Sequence, residues 1–276
     1  MTVTAEVLDG TVRATVVLVG GHESNEGRAL PSAGSPAGRA TSSGRGLAQA
    51  VGEALDQSAL PVCVVPMTLG RDPEVIADTA RTLRWLTRGA SAGRVVLAEP
   101  FGTASHLTGW LRAAAGRVAA DVGKAELAVL VTAPPADVFA DAELFRIARL
   151  VWAHGRARWV DVAFDGGDPD LAEGVDRCRR LGARHVALVP AGFGPAARVP
   201  VAGAIDGRPL LTTSAIAGVV AARVAAALHR LGHGDDGIAA GLDAEHGHGH
   251  AHSHGLDSHG SDGHGQSHSH SHAQPH

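Results

Sequence analysis

Short, uninterrupted apolar runs rich in β-branched residues recur along this chain, and most are separated by stretches with helical periodicity. They read TVVLVG (15–20), VCVVPM (62–67), RVVLAEP (94–100), LAVLVTA (127–133), WVDVAF (159–164), HVALVP (185–190) and RVPVAG (198–203). A strand of four to seven residues without polar alternation is apolar on both faces, so helices must cover both sides of its sheet. The chain is therefore expected to be α/β, with parallel sheets flanked by helices. Helices are predicted over 46–57, 73–88, 105–119, 140–154, 169–181 and 212–231. Asp72 and Asp168 each precede a proline and are expected as N-caps, and Gly89 and Gly182 as C-terminal stops.

Laid against each other, residues 15–120 and 127–232 show the same plan. Each half opens with an apolar strand, passes through a strand ending in proline (Pro66, Pro190) and closes on an Ala-rich helix. Two similar lobes are predicted, over 1–122 and 123–234, followed by a disordered tail over 235–276. The halves differ at 26–46, where Gly, Ser, Pro and Ala replace the helix and strand of the second half. That segment reads as a flexible insertion or an eroded αβ element.

The tail is the most biased segment. Eleven of the seventeen histidines lie between His246 and His276, mostly separated by one Gly, Ala or Ser. Nothing in that stretch can form a core. Imidazole is largely neutral near pH 7, its reference pKa being about 6.5, and is the commonest protein ligand for transition metals. His246, His248, His250, His252, His254, His268, His270 and His272 are thus candidate metal ligands, without fixed geometry to select one ion.

Up to residue 240 the chain carries 24 basic and 24 acidic side chains. This neutral balance provides no basic field for nucleic acid or an anionic membrane. Cys63 and Cys178 stand alone in apolar or helical contexts and form neither a disulfide framework nor a CxxC pair. The first residues lack a secretory pattern, and the apolar stretch 210–228 is interrupted by Arg223 and polar residues. A soluble, cytoplasmic protein is expected.

In parallel α/β folds ligands sit beyond the carboxyl ends of the strands. There the first strand is followed by GGHESNEG, in which His22 can hold a metal, Glu23 can act as a base, and Ser24 can donate a hydrogen bond. His154, His185, His229 and His233 are read as structural or surface groups.

VVLVGGHES, VCVVPMTL, LAEPFGTASHLTGWLRAAA and DPDLAEGVDRCRRLGARHVALVPAGF together resemble the class II tetrapyrrole chelatases, specifically the sirohydrochlorin cobaltochelatase family of cobalamin biosynthesis. The resemblance spans most of residues 15–230 and implies two chelatase-like lobes. It implies ATP-independent insertion of Co²⁺, or in a sister reaction Fe²⁺ or Ni²⁺, into sirohydrochlorin or a related precursor; the divalent ion bound is expected to be Co²⁺, with Ni²⁺, Fe²⁺ or Zn²⁺ as alternatives. His22 takes the place of the first active-site histidine of that family. His106 is carried over as a metal or tetrapyrrole contact, and Arg71 and Arg198 as partners of substrate carboxylates. The chain departs from the pattern in having Glu23 where the family has Gly, and in lacking a second histidine within TLGRDPEVIADT, where Arg71, Asp72 and Glu74 stand instead; Asp72 reads as a cap first and a ligand second, and Glu74, or Glu23 beside His22, can replace the imidazole as a carboxylate ligand. A non-catalytic cobalt- or nickel-binding protein on the same scaffold is the competing expectation.

Overall fold

The structure, a computed structural model, describes residues 14–30, 39–88, 91–123, 126–155 and 157–244. One sheet is built from β1 (Thr15–Gly20), β2 (Arg39–Ser42), β3 (Val62–Met67) and β4 (Val95–Leu97), in the order β2-β1-β3-β4. The other contains β5 (Leu127–Ala133), β6 (Trp159–Phe164), β7 (His185–Pro190) and β8 (Ile205–Asp206), in the equivalent order β6-β5-β7-β8. Every pairing is parallel, as expected for runs that are apolar on both faces. The described helices are α1 (Arg45–Gln57), α2 (Pro73–Leu86), α3 (Ala104–Val122), α4 (Val138–His154), α5 (Leu171–Arg180), α6 (Thr213–Gly232) and α7 (Ile238–Leu242).

The period-two pleat explains why the strands are apolar throughout. Val16 and Leu18 of β1 face one apolar layer with Val65 and Met67, while Val17 and Val19 face another with Leu47 and Val51 of α1. The first layer also takes Leu127, Val129 and Val131 of β5, Leu107 and Leu111 of α3, and Ile216, Val220 and Val224 of α6. The two sheets thus share one core. Each such side chain, fully buried, contributes about 1.5–3 kcal/mol.

Helices are exchanged between the halves. α3 follows β4 along the chain but packs on β5, β7 and α4 of the other sheet, whereas α6 follows β8 and packs on β3 and β4. Among the described residues α6 is also one helix long and apolar enough to cross a membrane. Here its apolar stripe covers the first sheet, and Arg223 and Arg230 reach Glu99.

Several expectations are corrected. Residues 198–203 form no strand; after β7 the chain runs through a loop interrupted by Pro195 and Pro200 to the two-residue β8. Part of 26–46 is an αβ remnant, since β2 pairs with β1 just as β6 pairs with β5; residues 31–38 lie outside the described residues. Asp170, not Asp168, caps α5, its carboxylate accepting from Glu173 N at 2.8 Å. Gly182 does follow the end of α5 in a left-handed conformation, and Gly89 lies outside the described residues. Residues 235–244, assigned above to the tail, are folded: α7 packs on α2 with Ile238 buried.

Candidate active site at the ends of β1 and β3

Beyond Gly20 the chain turns through Gly21 into a single turn of 3-10 helix, His22–Ser24, while Thr68–Asp72 leaves the neighbouring end of β3 and starts α2. The parallel register of β1 and β3 sets these two turns side by side. Gly21 is required there, because a Cβ on it would stand 2.0 Å from Asp72 Oδ2.

Asp72 does two jobs at once. Its Oδ1 accepts from Val75 N at 3.1 Å and caps α2, while Oδ2 accepts from His22 N at 3.0 Å and lies 3.1 Å from His22 Nδ1. A carboxylate at Nδ1 favours the tautomer with the proton on that atom and the lone pair on Nε2. Nε2 is buried and has no hydrogen-bond partner, although the His22 side chain as a whole is 25 % exposed. Burial pushes the imidazole down, but the hydrogen bond and charge of Asp72, backed by Glu23, outweigh it and hold the pKa above the ordinary 6.5. Burial also works against the Asp72 carboxylate, yet its bond to His22 keeps it below the usual carboxylate range.

Glu23 turns inward and is only 4 % exposed. Its Oε2 accepts from Thr68 Oγ1 and, at 2.7 Å, from Leu69 N, clamping the β1 turn to the β3 turn; Oε1 is buried without a partner. Burial pushes this carboxyl up, against the nearby Arg71 charge and the Thr68 bond. Arg71 is 2 % exposed and is the countercharge that makes a buried carboxylate tolerable. Burial pulls the guanidinium down while Glu23 and Asp141 oppose that pull.

Arg71 also joins the two halves. Its Nε donates to Ala140 O at 3.3 Å in the first turn of α4, and Nη2 lies 4.0 Å from Asp141 Oδ1. Asp137, the N-cap of α4, is held low chiefly by the N–H groups of Ala140 and Phe139, from which its carboxylate accepts, and less by the charge of His22. From the end of β7, Phe193 N donates to Glu23 O at 3.0 Å, and Phe193 packs edge-on against Phe101 at 5.2 Å. The second half thus supplies a wall around the His22 turn.

The structure separates the predicted residues sharply. His22, Glu23 and Arg71 come together, with Asp72 as the partner that a reading of it as a cap alone undervalues. Ser24 does not face a ligand: it is fully buried, its hydroxyl donating to Gly21 O and accepting from Gly27 N, both at 3.1 Å. Arg71 is likewise a buried structural cation and not an exposed clamp for substrate carboxylates. Glu74 is exposed on the first turn of α2, outside the hydrogen-bonded cluster. His106 is exposed, with Nδ1 2.9 Å from Thr103 Oγ1 and its ring stacked on Trp110. Arg198 is 73 % exposed and held by Asp165, to whose Oδ2 its Nε donates at 3.0 Å. The tail histidines lie outside the described residues. Among the described residues no three His, Cys, Asp or Glu side chains converge to hold a metal ion.

No protein-family model matches the chain, and no curated protein matches it. Among solved structures it is similar to CbiX, described as the terminal enzyme for biosynthesis of siroheme in denitrifying bacteria, with 15% sequence identity and a TM-score of 0.47, over 78% of this chain and 99% of that one. It is also similar to DR2241 from Deinococcus radiodurans, a multi-domain protein with structural similarity to chelatases and two additional novel domains, with 22% identity and a TM-score of 0.43. That match covers 78% of this chain and 55% of DR2241, so the chain spans about half the length of that protein.

Proposed function

We propose that this protein inserts a divalent metal, Co²⁺ first and Ni²⁺ or Fe²⁺ as alternatives, into sirohydrochlorin or a related tetrapyrrole in the cytoplasm. The observation that carries this reading is the His22–Asp72 pair, which leaves a buried, unpartnered Nε2 on an imidazole whose side chain is 25 % exposed, at a carboxyl strand end. The ion is substrate here, and the ring must lose two pyrrole protons as it enters. A neutral imidazole held by a carboxylate can present the ion weakly or accept a proton near pH 7. Beside the site, Val138 and Phe139 are both 79 % exposed at the start of α4, next to Asp137 and Ala140. They offer an apolar seat for a flat ring.

Glu23 and Arg71 act indirectly in this scheme, by fixing the turn that carries His22. The tail histidines gather ions at low supply. A second reading, a cobalt- or nickel-binding protein without catalysis, is favoured by one observation: the segment 68–79, which carries Asp72 and Glu74, holds no second histidine to act with His22.

Sirohydrochlorin incubated with Co²⁺ and the full-length protein, followed by absorbance against a metal-only control, tests both. The chelatase reading expects acceleration that His22→Ala removes. Without acceleration by the unaltered protein, only metal binding remains.

A further inference from the structure

The geometry points to a second metal site, independent of the His22 cluster and of the chelatase reading: a two-histidine chelate for a divalent first-row transition ion, formed by His229 and His233 at the carboxyl end of α6. The two residues are four apart, the spacing that brings side chains onto one helical face. The buried stripe of α6 runs through Ile216, Val220, Val224 and Leu228, which turns His229 and His233 to the opposite, solvent-facing side. Both are exposed.

Their ring centroids are 4.8 Å apart, with the planes inclined at 75°. With metal–nitrogen bonds of about 2.0–2.1 Å, two imidazoles sharing one ion at a near-tetrahedral angle place their centroids about 5 Å apart. The pair already has that separation, and rotation of the two exposed side chains about their Cα–Cβ and Cβ–Cγ bonds turns one nitrogen of each ring to the ion. The backbone is settled too: His233 ends the helix, its N–H donating to Arg230 O at 2.9 Å. The carboxyl end of a helix carries partial negative charge and favours a cation.

The intervening cation is turned away. Arg230 Nη2 donates to Leu97 O at 3.1 Å, Nη1 lies 3.5 Å from Glu99, and Nε lies 3.8 Å from Asp235. Its charge is spent on acidic and carbonyl partners beside the ring pair. Two imidazoles leave the other coordination positions to water, so the site binds Co²⁺, Ni²⁺, Cu²⁺ or Zn²⁺ exchangeably and rejects Mg²⁺, which prefers oxygen ligands.

Full-length protein is treated with diethyl pyrocarbonate, and the modification of each histidine is measured by peptide mass spectrometry over a series of free Zn²⁺ concentrations buffered with nitrilotriacetate. Buffering keeps the tail from depleting the ion. His229 and His233 should lose reactivity together, at one midpoint, with no protection by Mg²⁺ and none of exposed His154. In His229→Gln the protection of His233 should need on the order of a hundredfold more free Zn²⁺, because a tethered second donor raises affinity by about 10²–10⁴. His233→Gln should do the same to His229. Absent protection, unrelated midpoints, or undiminished protection of the remaining histidine in either variant overturns the site.

Discussion

Replacing Asp72 by Asn isolates the charge on which the His22 geometry depends. Asp72 Oδ2 faces two groups that donate, His22 N–H and the Nδ1 side of the ring, while Oδ1 faces Val75 N–H. An amide cannot accept on both sides. If its NH₂ faces His22, donor meets donor; if it is turned round, the α2 cap bond is lost. One buried donor left unpaired costs about 1–3 kcal/mol. The pH dependence has a definite sign. His22 has a folded pKa above its unfolded 6.5, so its share of the stability is complete below pH 6.5 and is lost as pH rises through the folded value. Asp72 has a folded pKa below its unfolded 3.8, so its share is present above 3.8 and is lost as pH falls through the folded value. Both are present together from about pH 4 to 6.5. Unfolding in urea should therefore show Asp72→Asn more destabilised at pH 5.5 than at pH 8.5. Imidazole NMR, with the His22 signal identified by its absence in His22→Gln, should show the His22 pKa falling below 6.5, since burial then acts with less opposition. An unchanged His22 pKa, or a destabilisation as large at pH 8.5 as at pH 5.5, would refute the pairing.

Arg71→Met should destabilise the fold by about 1–3 kcal/mol, because it leaves buried Ala140 O without its donor and removes a charge that favours ionised Glu23; adding Glu23→Gln should recover part of that loss in a double-mutant cycle read by urea unfolding. Gly21→Ala, whose new methyl would collide with Asp72, should cost about 1–3 kcal/mol in the same assay and weaken the His22 contact seen by NMR. Phe101→Ala should cost about 3–5 kcal/mol, since the ring is buried against Trp110 and Phe193. On the proposed chelatase reading, removal of residues 245–276, cut beyond α7, should leave turnover with excess Co²⁺ intact and lower it when Co²⁺ is scarce; loss of turnover at saturating Co²⁺ would overturn the proposed role of the tail as a reservoir.

The sequence by itself determined the layers. Strands β1, β3, β5, β6 and β7 fall on the runs that lack polar residues or nearly so, because burial on both faces demands apolar side chains at consecutive positions, a demand visible in one dimension. It also pointed to His22, through its place after an apolar strand and two glycines. What it could not show is direction and partnership. Asp72 lies fifty positions from His22, and only the register of β1 with β3 makes it a hydrogen-bond partner as well as a cap. Glu23, Ser24 and Arg71 carry the polar groups expected of an exposed site, yet the fold turns all three inward, where Thr68, Leu69, Gly27 and Ala140 satisfy part of their hydrogen bonding. The exchange of α3 and α6 between the sheets is a tertiary outcome of the same kind: an apolar helical stripe specifies that it will be covered, while the shape of the available surfaces decides by what.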